Sequence, residues 1–332
     1  MSFGARIPGA TVFREGQTVA SDTPRAATDA TIDRTTRRRA MAALVLTVTF
    51  WSFNFVVGRA VAGQIPPLTL SFLRWFFAFL LFSLIAWPHV LRDRSGLIRA
   101  WPKLLLMGLT SVAGYNTFVY LALERTTAIN AVILNATMPI AIAVMAALAG
   151  VDRLGRNQLA GIVVSFCGVA YIVAGGDPMA LLHLKIGAGD LWILGATLSW
   201  GVYSVALRFK PAWLHPFSLL WANMLIGMLA LSPLALTEVL DGRLPVVSAT
   251  TVAAIAYVAI FPSIIAYILW NGAVAKIGPN RAGLFMHLMP ILTPVWSMLF
   301  LGERLGPHHL VGGIAILAGL VLTTRTPRAA RG

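Results

Sequence analysis

Charge is scarce in this chain: Asp, Glu, Lys and Arg make up 11% of its 332 residues. A soluble domain carries about 25%, because a surface facing water needs it. Acidic residues are rarer still, 12 against 26 Lys and Arg. Four of them, Glu15, Asp22, Asp29 and Asp33, fall before residue 40. No Asp or Glu lies in the middle of an apolar run; Asp190 is near the start of one, and Asp152 and Glu303 are at loop edges. That absence argues against coupling to protons or sodium through a buried carboxylate and leaves facilitated diffusion or exchange open. Cysteine is nearly missing. Cys167 alone closes no intrachain disulfide and reads as a small packed residue in an apolar run. The sequence also lacks His-Glu-x-x-His, a Gly-x-Ser-x-Gly elbow and paired intramembrane aspartates, so an intramembrane enzyme finds no chemistry here. His308-His309 is adjacent rather than helically spaced, which does not suit a metal. No motif calls for a cofactor.

Long apolar runs are what the chain does have, with 58% hydrophobic residues. Crossing lipid takes about 20 mainly apolar residues, because the hydrocarbon is about 30 Å thick. Candidate spans are 41–61, 68–88, 103–123, 127–149, 157–175, 188–208, 215–236, 249–270, 281–301 and 308–324. Backbone groups in lipid must pair internally, so about ten transmembrane helices are expected, an all-α membrane protein. Residues 1–40 read as a polar, disordered tail and 325–332 as a second tail. Arg37-Arg38-Arg39 ahead of an apolar run resembles a signal peptide. Trp51, Phe53, Asn54 and Phe55, with no small-residue cleavage site after them, favour a first helix anchored by arginines. No later stretch is long enough for a soluble domain, which leaves no room for an appended catalytic or receptor domain.

The net charge of +14 comes from basic residues that flank the spans, so it speaks for orientation in a bilayer and not for nucleic acid. Arg92, Arg94, Arg99, Lys103, Arg153, Arg156, Arg208, Lys210, Lys276, Arg281 and the tail arginines form one alternating set of loops. Arg59, Arg125, Lys185, Arg243 and Arg304 form the sparser one. The richer set is expected in the cytoplasm, with both termini.

The sequence also repeats itself. Aligning Trp51 with Trp200 matches Val56 with Val205, Arg59 with Arg208, Pro67 with Pro216 and Leu70 with Leu219. After a short insertion Ala122 matches Ala273, and Met138-Pro139-Ile140 matches Met289-Pro290-Ile291. Arg153-Leu154-Gly155 matches Arg304-Leu305-Gly306, Gly161 matches Gly312 and Gly168 matches Gly319. Apolar bias would pair Leu and Ala, not Trp, Arg, Pro and Gly. The repeats are placed at 41–175 and 188–324. Each holds five spans, an odd number, so the second enters the membrane from the opposite side. Inverted repeats can exchange conformations around a midplane site, which is what alternating access needs.

Phe50-Trp51-Ser52-Phe53-Asn54-Phe55 is similar to the Trp-Gly-Ser-Asn-Phe pattern of the drug/metabolite transporter superfamily, EamA-type ten-helix branch, with Ser52-Phe53 for Gly-Ser. Met289-Pro290, Leu301-Gly302-Glu303-Arg304-Leu305, Gly312-Gly313 and Gly319 resemble the end of that family's repeat. Met138-Pro139 and Gly150-Val151-Asp152-Arg153-Leu154 form a weaker copy, with Asp152 for the usual Glu. The resemblance covers about 41–324. It implies a secondary transporter, commonly an exporter of amino acids, other metabolites or drugs, in a bacterial-type inner membrane, and names no substrate. A passive channel stays open as the rival reading.

Candidate site residues follow from polarity inside the spans. Asn116 and Tyr120 are four apart, on one helix face. Their counterparts are Tyr267 and Asn271, again four apart with the types exchanged. Inversion would set both faces on one central cavity, joined by Trp51, Asn54, Trp200, Tyr203, Asn130, Asn135 and Trp270. Amides, phenols and indoles among apolar walls suit a small amphipathic solute such as an amino acid or aromatic compound. The same residue types also serve as interhelical glue. Arg74, matched by Asn223, either binds an anionic group or pairs with a carbonyl. Arg59 and Arg208 lie near span ends and can snorkel. His287 is an interhelical donor or a proton carrier. Pro139 and Pro290 each remove a helical donor and are expected to kink or hinge the fourth and ninth spans.

Overall fold

The computed structural model describes Met1 and residues 33–324, apart from 62, 124–133, 152–154, 178, 181–186 and 303–305. Asn130, Arg125, Lys185, Asp152, Arg153, Glu303 and Arg304 lie outside the described residues, as do the side chains of Arg59 and Tyr120. Among the described residues there is no β-strand.

The first half runs α1 (Arg34–Ala60), α2 (Pro67–Arg99), α3 (Trp101–Gly108), a π-helical turn at Leu109–Gly114 and α4 (Tyr115–Leu123). It continues through α5 (Met138–Leu148) and α6 (Arg156–Val173). The second half runs α7 (Ala188–Ala206), α8 (Pro216–Leu240), α9 (Ala249–Val258), a π-helical turn at Ala259–Ile265 and α10 (Ala266–Ile277). It ends with α11 (Pro279–Gly283), a 3₁₀ stretch Leu284–Leu288, α12 (Met289–Leu301) and α13 (Pro307–Thr324).

Prolines place many of these starts. Pro67, Pro102, Pro139, Pro216 and Pro279 each sit in the first or second helical position, where the missing N–H costs no intrahelical bond. Arg34–Gly58, Pro67–Arg99, Ala188–Phe209, Pro216–Leu240, Ala249–Ile277 and Pro279–Phe300 are each long and apolar enough to cross a bilayer. Leu84, Leu148, Leu240 and Leu310 are largely exposed on the outside of the bundle, where lipid rather than water must cover them. The chain is a multi-pass membrane protein. α2 runs eleven residues past the apolar span 68–88, with Pro88 inside it, so its polar end Arg92–Arg99 is helix and not loop.

The inversion is visible in side-chain contacts. At one end of the α2/α8 pair, Glu238 near the end of α8 accepts from the Leu68 and Thr69 N–H groups at the start of α2, at 3.2 and 2.7 Å. At the other end, Asp93 near the end of α2 accepts from the His215 N–H that opens α8, at 2.7 Å. The two helices are therefore antiparallel, each capped by a carboxylate of the other.

Residues that touch their own counterparts mark the pseudo-twofold axis. Ser165 donates to the Ile316 carbonyl at 3.2 Å, and His287 Nε2 lies 3.1 Å from the Ala136 carbonyl. On the axis α6 and α13 approach so closely that a Cβ on Gly168 would sit 2.7 Å from the Gly312 carbonyl. One on Gly319 would sit 2.5 Å from the Gly161 carbonyl. That explains why these four glycines match across the repeat.

Candidate functional site

The two π-helical turns occupy matching places in the two halves. A π turn widens the helix and leaves carbonyls without their usual partner, and such turns collect at functional sites. Pro262, inside the second turn, has no N–H to give, and the Ser263 hydroxyl reaches five residues back to the Val258 carbonyl at 2.7 Å. In the first turn Ser111 bonds back to the Met107 carbonyl at 2.6 Å. The carbonyls of Ser111 and Pro262 are thereby presented to the centre of the bundle. Trp51 Nε1 donates to Pro262 at 2.9 Å, and the Tyr267 hydroxyl donates to Ser111 at 3.0 Å.

Around these carbonyls lies an aromatic cluster drawn from both halves. Trp51 and Trp200, counterparts in the repeat, meet edge to face with ring centroids 5.2 Å apart. Trp270 packs on both, at 5.4 and 5.7 Å. Tyr267 touches Trp51, Trp200 and Tyr203, and also Trp75 at 5.1 Å. Tyr203 donates to Asn271 Oδ1 at 2.6 Å and lies beside Asn223. Of the residues named from sequence, Trp51, Trp200, Tyr203, Tyr267, Trp270 and Asn271 are brought together.

The others are dispersed. Asn116 is buried but turns its amide onto its own helix, donating to the Val112 carbonyl at 2.6 Å. Asn54, one turn beyond Trp51, is partly exposed and makes no side-chain hydrogen bond among the described residues. Asn135 accepts from Tyr115 at 3.4 Å, and Tyr115 in turn packs on Trp200 at 5.2 Å. His287 is buried on the axis. Pro139 and Pro290 each take the second position of a helix, α5 and α12. Pro290 follows the 3₁₀ stretch Leu284–Leu288, so the ninth span is broken just before it.

Arg74 is buried, 6% exposed, and reaches the second π turn. Its Nε donates to Ser263 Oγ at 2.5 Å, its Nη2 approaches the Pro262 carbonyl at 3.4 Å, and its guanidinium lies 5.0 Å over the Trp75 ring. The carbonyl pairing expected as one alternative is therefore present. Sequence reasoning did not pick out Trp75, Ser111, Pro262 or Ser263. The proline inside an apolar span was the available signal for the π turn.

Three comparisons bear on this arrangement. The model of the EamA-like transporter family matches residues 38–174 and again 187–325. The chain is 30% identical over 283 residues to an uncharacterized transporter of Archaeoglobus fulgidus, covering 85% of this chain and 96% of that protein. It is 29% identical to a "probable terminal-alkyne amino-acid exporter" of Streptantibioticus cattleyicolor, covering 86% and 94%. It is 26% identical to a "probable amino-acid metabolite efflux pump" of Salmonella typhimurium, covering 86% and 96%. One crystal structure superposes with a TM-score of 0.67 at 19% identity, over 87% of this chain and 98% of that one, which speaks for the fold alone. With a family match in each half, on repeats that fold as inverted copies around shared tryptophans, the chain belongs to the EamA-like transporter family.

Proposed function

We propose that this protein exports small amphipathic metabolites, amino acids or aromatic compounds among them, by alternating access around the central aromatic cluster. The observation that carries the reading is the meeting of Trp51 with its counterpart Trp200 at the interface of two inverted halves. A site on the pseudo-axis is reached from either side by the same motion with the roles of the halves exchanged. Indole and phenol faces hold an apolar body, while Asn271 and the π-turn carbonyls offer polar contacts. The names of the relatives support the solute class. The five-helix repeats are 41–175 and 188–324, flanked by cytoplasmic tails 1–40 and 325–332. The arginine-rich loops support cytoplasmic termini, and the family supports a bacterial-type inner membrane.

Substrate-contacting roles fall to Trp51, Trp200, Tyr203, Tyr267 and Asn271, and further contributions to Asn116, Tyr120, Asn54, Arg74 and His287. Pro139 and Pro290 act as hinges at the broken spans. Proteoliposomes preloaded with an unlabelled amino acid should take up the labelled form faster than empty ones. Equal rates would favour a passive channel. Asn271→Ala and Asn116→Ala should each lower that counterflow without loss of membrane insertion, and unchanged flux in both would remove them from the site.

A further inference from the structure

Arg74 has more donors than partners. It lies seven residues into α2, about 10 Å from the helix start at 1.5 Å per residue. A guanidinium carries five N–H donors and no acceptor. Here two of the three nitrogens reach oxygen, one hydroxyl and one carbonyl, both neutral. Among the described residues no carboxylate stands within ion-pair distance; both ion pairs found belong to Arg243. A buried cation in a membrane bundle normally has an anionic partner or a functional reason to lack one.

The surroundings have the same excess. The indole N–H groups of Trp75, Trp200 and Trp270 are buried and have no hydrogen-bond partner among the described residues. Trp75 and Trp200 both pack on Tyr267, and Trp200 packs on Trp270. The guanidinium lies over Trp75, and three unpaired indole N–H groups belong to the linked aromatic cluster, so buried donors exceed their partners here. The group that suits it is acceptor-only and negatively charged, a carboxylate, with an apolar or aromatic body to lie among the rings.

We propose that Arg74 anchors the carboxylate of the transported solute, making this an exporter of organic acids with an apolar body, amino acids included. The assignment rests on the transport reading above for what the ligand is, and on geometry alone for where its charge sits. The neutral counterpart Asn223 fixes a direction: the carboxylate points toward the Pro67 end of α2. Arg74 also ties α2 to the π turn of the other half, so a carboxylate that takes over its donors loosens a contact between the repeats.

Matched probes test this on the purified full chain: 3-phenylpropanoate against 3-phenylpropanamide, read by thermal shift and tryptophan fluorescence, then by counterflow. The acid should bind about tenfold or more tighter than the amide, the range for a charge-assisted hydrogen bond. Arg74→Gln should abolish that preference and Arg74→Lys should keep part of it. Equal binding of acid and amide by the unaltered protein overturns the proposal, whether or not a variant folds. So does a preference that survives in Arg74→Gln, or no binding of either probe. Preferential binding of the acid without counterflow would sink the transport reading and leave the anion site standing. Counterflow of both probes at equal rates would do the reverse.

Discussion

The α2/α8 pair is tied at both ends by a carboxylate on a helix start, yet the two ties differ in kind. Glu238 is wholly buried. It holds two N–H groups and the Thr69 hydroxyl, the last at 2.9 Å, with Arg243 at 3.8 Å. Asp93 is partly exposed, holds one N–H and lies beside Ser218, the counterpart of Thr69. Around it the His89 and His215 rings stack 3.7 Å apart. A helix start leaves its first N–H groups unpaired and carries partial positive charge, so both carboxylates are well placed. Burial decides which is stronger. Removing Glu238 leaves dry donors unsatisfied, whereas water can replace Asp93. The halves share a scaffold, but the Pro67 end is fastened harder than the His215 end.

Removing each carboxylate should reveal that difference. Glu238→Ala is expected to cost about 3 kcal/mol, because it strips a buried, multiply bonded charge from its donors. Asp93→Ala should cost about 1 kcal/mol or less, the range of an exposed cap. The midpoint of thermal unfolding in detergent, measured on both variants side by side, checks the order. Equal losses would mean that the two ends are fastened alike.

The sequence showed the doubling because the residues that match are those that meet on the axis. Trp51 faces Trp200, and the paired glycines let α6 and α13 touch. It hid the fastening. Glu238 lies beyond the apolar span 215–236 and looks like a loop residue, but α8 runs on to Leu240 and carries it inside. The π turns escaped for a similar reason. Hydrophobic periodicity reports which face is apolar, and one extra residue in a turn inside an apolar run does not change composition. Asn116 shows the limit of reading a face from spacing. Spacing predicts a face shared with Tyr120, yet the Asn116 amide closes on its own backbone, onto the Val112 carbonyl in the π turn.

The two halves also differ at the centre. Trp51 gives its N–H to Pro262, whereas the carbonyl that symmetry would offer Trp200, that of Ser111, is taken by Tyr267. Among the described residues the Trp200 N–H has no partner. Trp51→Phe should therefore lose a buried hydrogen bond worth about 1 kcal/mol, and Trp200→Phe should lose only packing. Thermal unfolding of the two variants without solute separates them. If Trp200→Phe is the more damaging, the conformation described is not the one that prevails in solution.

The smallest effect belongs to the looser end and depends on pH. His215 caps α8, its Nδ1 accepting from the Phe217 N–H at 3.2 Å. Burial, and then the charge of neighbouring His89 and Arg92, hold its pKa below the ordinary value, with Asp93 opposing. A base with a depressed folded pKa stabilises the fold in its neutral form. That stability is present above the unfolded pKa of about 6.5 and is lost as pH falls through the folded value. Two stacked imidazoles also repel once both are charged. Between about pH 7.5 and pH 5 the unaltered protein should lose thermal stability. His215→Asn, which keeps an acceptor for the helix start but does not titrate, should lose less. At the other end no histidine is among the hydrogen-bond or ion-pair partners of Glu238 in the described residues. Parallel slopes for the two proteins would move the acid sensitivity away from this end and leave burial alone to distinguish the two ties.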